Sequence, residues 1–310
     1  MPLCIADAIA RSYSREGEWS HRICGLVFEA KNLPAVAGAA VGQNGAMVTT
    51  CREVADDGTN LAVTDYDGSG APILILHGLA GSGREMERTA RALNPHRVVA
   101  LDSRGHGEST RRPTVVSGQA HVDDVIRVIE SLVGAPVILI GQSMGGHTAL
   151  MVAAARPDLV DRLVLLEAGV GGDGTEESRE RMREFFESWP RPFADRAHAA
   201  AFLGDSAMAR AWAADLEERS DGLWPRFDAD VMIDTITHVD AVARWEEWSA
   251  IRARTLVVFG RDGRFSESEK DAIVSRGHDV SGADLDAGSH DAHLDAFPLW
   301  TDALNEFLRA

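Results

Sequence analysis

The chain has 310 residues, enough for one large α/β domain or two ordinary ones, and either can bury a sizeable core. Its 48 acidic residues against 31 basic ones give a net charge of −17 spread along the sequence, which argues against a nucleic-acid or anionic-membrane surface and favours a small neutral substrate. No apolar window is long enough for a membrane-spanning helix and no basic region precedes an apolar run at the N-terminus, so neither a membrane anchor nor a secretory leader is expected.

Cys4, Cys24 and Cys51 lie early in the chain, without C-x-x-C spacing or a nearby histidine cluster. That pattern suggests neither a disulfide framework nor a metal site, and the expectation is a reduced, cytoplasmic chain. Residues 1–46 show no sustained periodicity and end in "AVAGAAVGQNGA", a small-residue stretch that buries little side-chain area. They read as an extension outside the fold or as the product of a misplaced start, with the domain proper over 47–310.

From Met47 short β-branched runs alternate with helical stretches: "MVTTCRE", "NLAVTD", "PILILH", "RVVALD", "PVILIG", "RLVLLE", "TLVVFG" and "DVSGADL". Between two of them, Val122, Val125, Ile126, Ile129, Leu132 and Val133 recur at helical spacing. Alternating βα units of this kind build a mostly parallel sheet with helices on both faces, an α/β fold. The rhythm stops between Glu167 and Thr255, in a stretch without a clear strand that reads as an inserted helical cap over about 170–250.

Functional groups of a parallel sheet collect where its strands end at their carboxyl side. Ser143 stands at such an end in "VILIGQSMGGHTAL", flanked by Gly141 and Gly145 as in G-x-S-x-G. Small residues there allow a sharp strand-to-helix turn that holds a serine hydroxyl clear of the backbone. A hydroxyl is a poor nucleophile at neutral pH and needs a base, a group that orients the base, and donors for the oxyanion. "ILHGLAGSG" offers the backbone N–H of Leu79, which converges with that of Met144; His77 reads as part of the turn. The base is expected late in the chain, where "DLDAGSHDAHLDAFPLW" carries His290 and His293, with His290 better placed after its small neighbours. His106 in "DSRGHGES" reads as the holder of a tight turn, and His147 as a residue of the elbow helix near the serine.

Together "HGLAG", "DSRGHGES", "GQSMGGHTAL" and "GSHDAHLDAFP" resemble the α/β-hydrolase family, in its capped esterase-like branch, over 47–310. The resemblance implies an eight-stranded sheet, a cap between the sixth and seventh strands, and no cofactor. It carries the nucleophile, base and oxyanion roles onto Ser143, His290, Leu79 and Met144. A serine nucleophile sets aside the dehalogenase and epoxide-hydrolase branches, whose nucleophile is aspartate. Most members place the triad acid at the fourth position of a G-x-x-D turn after the seventh strand, and "GRDGRF" has Gly263 there with Asp262 one residue early. Some branches place the acid at the end of the sixth strand, where Glu167 closes "RLVLLE". Glu167 is therefore preferred, with Asp262 as the alternative.

Trp189, Trp212, Trp224, Trp245 and Trp248 fall in the cap with Phe185, Phe186 and Phe227, and one or two of them are expected to line an apolar pocket. The sequence thus points to a cofactor-independent, metal-free serine hydrolase of an ester or lactone, with a small-molecule substrate and no nucleic-acid or membrane partner; its oligomeric state stays open. A carbon–carbon bond hydrolase of the same fold and a non-turnover receptor on the same scaffold are the alternatives.

Overall fold

The computed structural model describes residues 39–41 and 47–309. The other residues of the N-terminal extension, 1–38 and 42–46, lie outside them. In chain order the elements of the sheet and its first helices are β1 (Ala39–Val41), β2 (Met47–Val54), β3 (Asn60–Asp65), β4 (Gly70–Leu76), α1 (Glu87–Ala92), β5 (His96–Leu101), α2 (Gly118–Val128), β6 (Val137–Gln142), α3 (Met144–Ala155) and β7 (Val160–Leu166). The inserted region follows as α4 (Glu176–Glu187), α5 (Arg196–Leu203), α6 (Ala207–Asp215), β8 (Glu217–Arg219), β9 (Gly222–Trp224), α7 (Ala229–Asp240) and α8 (Trp245–Ala250). The chain returns to the sheet through β10 (Arg254–Phe259), α9 (Glu267–Arg276), β11 (Val280–Asp284), α10 (Ala292–Asp295) and α11 (Phe297–Arg309).

The main sheet runs β1-β2-β3-β5-β4-β6-β7-β10-β11. β2, β3 and β5 pair antiparallel and every pair from β5 to β11 is parallel. Eight of these nine strands are the runs read from the sequence. The ninth, β1, pairs antiparallel with β2 from Ala39 opposite Thr49 to Val41 opposite Met47, so the glycine-rich end of the extension contributes an edge strand. Three residues are too few for an alternating pattern to show.

Strand side chains alternate between two buried faces, as the near-continuous apolar runs require. Leu74, Leu76, Leu139, Leu163, Leu165 and Val257 pack with Val122 and Val125 of α2 and Leu150 of α3. Their neighbours Ile73, Ile75, Ile138, Ile140, Val164 and Val258 pack on the opposite face against Ala90 of α1 and Trp300 and Leu304 of α11. A third cluster lies in the inserted region, where Phe186, Trp189, Phe193, Leu223 and Phe227 gather around Ala80.

The inserted region differs from its sequence reading in one element. β8 and β9 form an antiparallel hairpin through the turn Ser220–Asp221, with Gly222 at φ +138°. Each strand has three residues, again too short for alternation to be read. The cap aromatics divide by location. Phe227 meets Phe186 and Trp189 edge-on at 5.0 and 5.1 Å, and Phe186 and Trp189 lie tilted at 6.4 Å. Trp248 instead lies fully buried under the sheet, its indole N–H donating to the Ile273 carbonyl at 2.9 Å.

Candidate active site

β6 delivers Ser143 through a turn that only small neighbours permit. Ser143 itself takes φ +51°, a conformation an L-residue rarely holds, and α3 starts at the next residue. A side chain on Gly145 would run into the Leu76 and His77 carbonyls, and one on Gly141 would overlap the backbone of Gly145 and Gly146. Both glycines are therefore required by space.

The Ser143 hydroxyl lies 2.8 Å from His290 Nε2, and His290 Nδ1 lies 3.3 Å from Glu167 Oε2. A carboxylate only accepts, so the imidazole carries its proton on Nδ1 and leaves Nε2 free to accept from the serine. Glu167 ends β7 at φ +49° and is buried, with the Gly260 N–H donating to Oε1 and the Arg264 N–H to Oε2, both at 2.8 Å. These backbone donors lie in and beside the "GRDGRF" turn. Gly263, in that turn, has no room for a side chain, because a Cβ there would overlap the Glu167 carboxylate.

Asp262 stands apart from this group. Its side chain is exposed beside Arg261 at 3.4 Å, and its backbone is paired with the loop before His290. The structure therefore brings Ser143, His290 and Glu167 together and leaves Asp262 in solvent. His290 is held by its own carbonyl as well, which accepts from Gln142 Nε2 at 3.0 Å. The sequence reading missed this anchor, although Gln142 occupies the variable position before the serine.

The loop after β4 lies against the elbow, since a Cβ on Gly78 would sit 3.4 Å from Ser143 Cβ. Among the described residues neither the Leu79 nor the Met144 N–H meets an acceptor, and Met144 opens α3, where the helix dipole adds positive potential. Asp102 ties this loop to the one after β5, accepting from the Gly83 N–H at 2.6 Å and the Glu108 N–H at 2.8 Å.

The other histidines take different places. His77 is fully buried, donating through Nδ1 to the Gly78 carbonyl at 2.7 Å and accepting the Ser103 N–H at Nε2 at 3.0 Å. His106 contacts the Arg104 carbonyl at 2.9 Å, and burial, with His77 nearby, holds its pKa well below the ordinary value. His293 is sealed in α10 with Nε2 3.8 Å from Glu85. Burial pushes the neighbouring Asp291 carboxyl up, against the pull of His290 and His293.

A cavity of about 290 Å³ opens beside Ser143 between the segment that follows β7 and helices α3, α7, α8 and α9. Val170, Ile236, Val239, Trp245, Phe265 and Ile273 supply its apolar lining. Trp245 is thus one of the cap tryptophans that faces a pocket. Among the described residues no group of histidine, cysteine and carboxylate side chains is arranged to hold a metal ion, and no helix is long and apolar enough to cross a membrane.

Comparison with known proteins bears on this geometry. The family model for the alpha/beta hydrolase fold matches residues 71–265. The sn-1-specific diacylglycerol lipase ABHD11 of Mus musculus is 38% identical over 106 residues, which cover 33% of this chain and 34% of that protein. Lipase LipV of Mycobacterium tuberculosis is 34% identical over 175 residues, 56% of this chain and 59% of that protein. The matched segments thus span about a third to somewhat over half of these relatives. The crystal structure of E-2-(acetamidomethylene)succinate hydrolase superposes with a TM-score of 0.71 at 21% identity, covering 84% of this chain and 100% of that one, a likeness of fold.

Proposed function

Because the chain belongs to the α/β-hydrolase family, we propose that it is a cofactor-independent serine hydrolase acting on an ester or lactone of small to medium, largely apolar character. The observation that carries this reading is the relay from Ser143 through His290 to Glu167, at 2.8 and 3.3 Å. The apolar part of the cavity wall beside the serine, formed by Val170, Ile236, Val239, Trp245, Phe265 and Ile273, supports the substrate class.

In this reading Ser143 Oγ attacks the carbonyl carbon while its proton passes to His290 Nε2. Glu167 keeps the imidazole in the tautomer that can accept that proton and stabilises the cation that forms. The carbonyl oxygen becomes an oxyanion facing the Leu79 and Met144 N–H groups, a contact worth roughly 10² to 10³ in kcat per donor in such sites. The tetrahedral intermediate then collapses, the C–O bond breaks, and the leaving alkoxide takes the proton from Nε2. Water repeats the sequence on the acyl-serine, with His290 as its base, and frees the acid.

A turnover panel of short-chain esters, lactones and vinylogous diketones, with Ser143→Ala as control, tests the proposal. Ester or lactone turnover that vanishes in Ser143→Ala is the expected result. Preference for the diketones favours carbon–carbon hydrolysis, and tight binding without turnover favours a receptor; either contradicts the reading.

A further inference from the structure

Of the four described histidines that bury a ring nitrogen without a partner, His106, His121, His147 and His293, only His147 lines the cavity that holds Ser143. It follows the serine by one helical turn, its N–H donating to the Ser143 carbonyl at 3.0 Å. That spacing sets the roots of the two side chains about 5–6 Å apart on one face of α3. The ring packs against bare backbone at Gly171, where a Cβ would come within 3.2 Å of its Nε2.

A buried polar atom left unpaired is costly, so natural structures keep few of them. His147 Nε2 is such an atom beside a cavity. The rest of the inner wall carries the triad and the half-buried Asp240, which faces Arg179 at 3.8 Å, while the charged lining residues Asp173, Arg264 and Glu269 are exposed to solvent. Burial, with Arg244 nearby, lowers the His147 pKa to about 4, so the ring is neutral at pH 7 and offers hydrogen bonds without charge. Its terminal torsion is soft, so a turn of the ring presents a nitrogen to an occupant.

We propose that His147 reads one hydrogen-bonding oxygen on the acyl group. The preferred substrates are then esters or lactones whose acyl part is short and apolar except for a keto or hydroxyl oxygen about three or four atoms beyond the reacting carbonyl, a reach set by one helical turn. This rests on the hydrolase reading and narrows its substrate class. A pocket that pairs a substrate oxygen discriminates strongly against the analogue lacking it, because the protein group is then left unpaired again.

The test compares kcat/KM for 4-nitrophenyl 4-oxopentanoate and 4-nitrophenyl pentanoate in the native protein, His147→Leu and His147→Gln. The expected native ratio is at least about tenfold in favour of the oxo ester. It should fall to near one in His147→Leu and recover in part in His147→Gln, whose amide restores a donor and an acceptor. A native ratio near one, or a ratio that survives in His147→Leu, overturns the proposal. Labelling of Ser143 by an organophosphonate, run alongside, separates the two levels. Labelling with a flat ratio defeats the assignment of His147 alone, whereas absence of both labelling and turnover defeats the hydrolase reading and this inference with it.

Discussion

Glu167 and Gly263 occupy complementary space: the carboxylate of one fills the volume that a side chain on the other would take. Two backbone N–H groups hold that carboxylate in place, and its Oε2 faces His290. If Glu167 orients the base, Glu167→Gln should lose roughly 10³ to 10⁴ in kcat with the fold intact, while Asp262→Asn should change it by about tenfold or less. Exchanging the two positions is a sharper test. Gly263→Asp alone should fold poorly through the overlap, and Glu167→Gly with Gly263→Asp should recover activity over Glu167→Gly alone. Steady-state kinetics with circular dichroism as the folding control decides it, and a dead double variant with native structure would count against an acid read from either position. The preference for Glu167 could be read from the sequence because Gly263 stands where an acid usually does. The reason a glycine must stand there could not, since it depends on a side chain almost a hundred residues away meeting that turn in space.

At the scale of elements, the central strands β4, β5, β6, β7 and β10 were legible because their apolar runs are nearly continuous. β1 and the β8–β9 hairpin were not, since three residues carry no periodicity. The elbow between β6 and α3 was readable from its spacing alone, and its demand for glycine comes from space: the strained backbone conformation falls on Ser143, while a Cβ on Gly141 or Gly145 would overlap backbone. Gly134, which closes the π-helical turn Ile129–Val133 that follows α2, is set at φ +68° with nothing within 4 Å of a would-be Cβ, so Gly134→Ala should cost about 1 kcal/mol through backbone strain. Gly145→Ala places a methyl group against the Leu76 and His77 carbonyls and should cost more, about 2 kcal/mol or above, because two packed elements must separate. Urea unfolding measures both, and equal costs would show that space at the elbow is not limiting.

The whole molecule buries titratable groups that couple its stability to pH. His106, His121 and His147 are held neutral chiefly by burial, His121 with a pKa lowered to about 3 and His147 to about 4. Their unfolded forms take up protons below about 6.5 while the folded forms do not, so stability rises with pH between about 4 and 6.5. Asp215 acts in the opposite sense: burial raises its pKa to about 6, so the folded state holds a proton over the range from 3.8 to about 6 that the unfolded state has released. Asp124, Asp240 and Asp291, also raised by burial, act in the same sense as Asp215, but the histidine shifts are the larger ones, so Tm should fall as pH drops from 7 to 5, with a shallower fall in His121→Asn. A flat profile over that interval would mean that these rings are not buried neutral. None of this could be read from composition, where the histidines look alike. The sequence places His147 one turn past Ser143, but only the fold shows which ring nitrogens are sealed without a partner.

The central claim is that Ser143 is a nucleophile activated by His290, and a covalent probe addresses it without knowledge of the substrate. The folded protein is treated with an organophosphonate at neutral pH and its peptides are mass-analysed. A single adduct on the segment from Gly141 to Arg156, absent in Ser143→Ala and much slowed in His290→Ala, is the expected result. An unmodified Ser143 in folded protein, or an adduct that forms equally well without His290, would contradict the account.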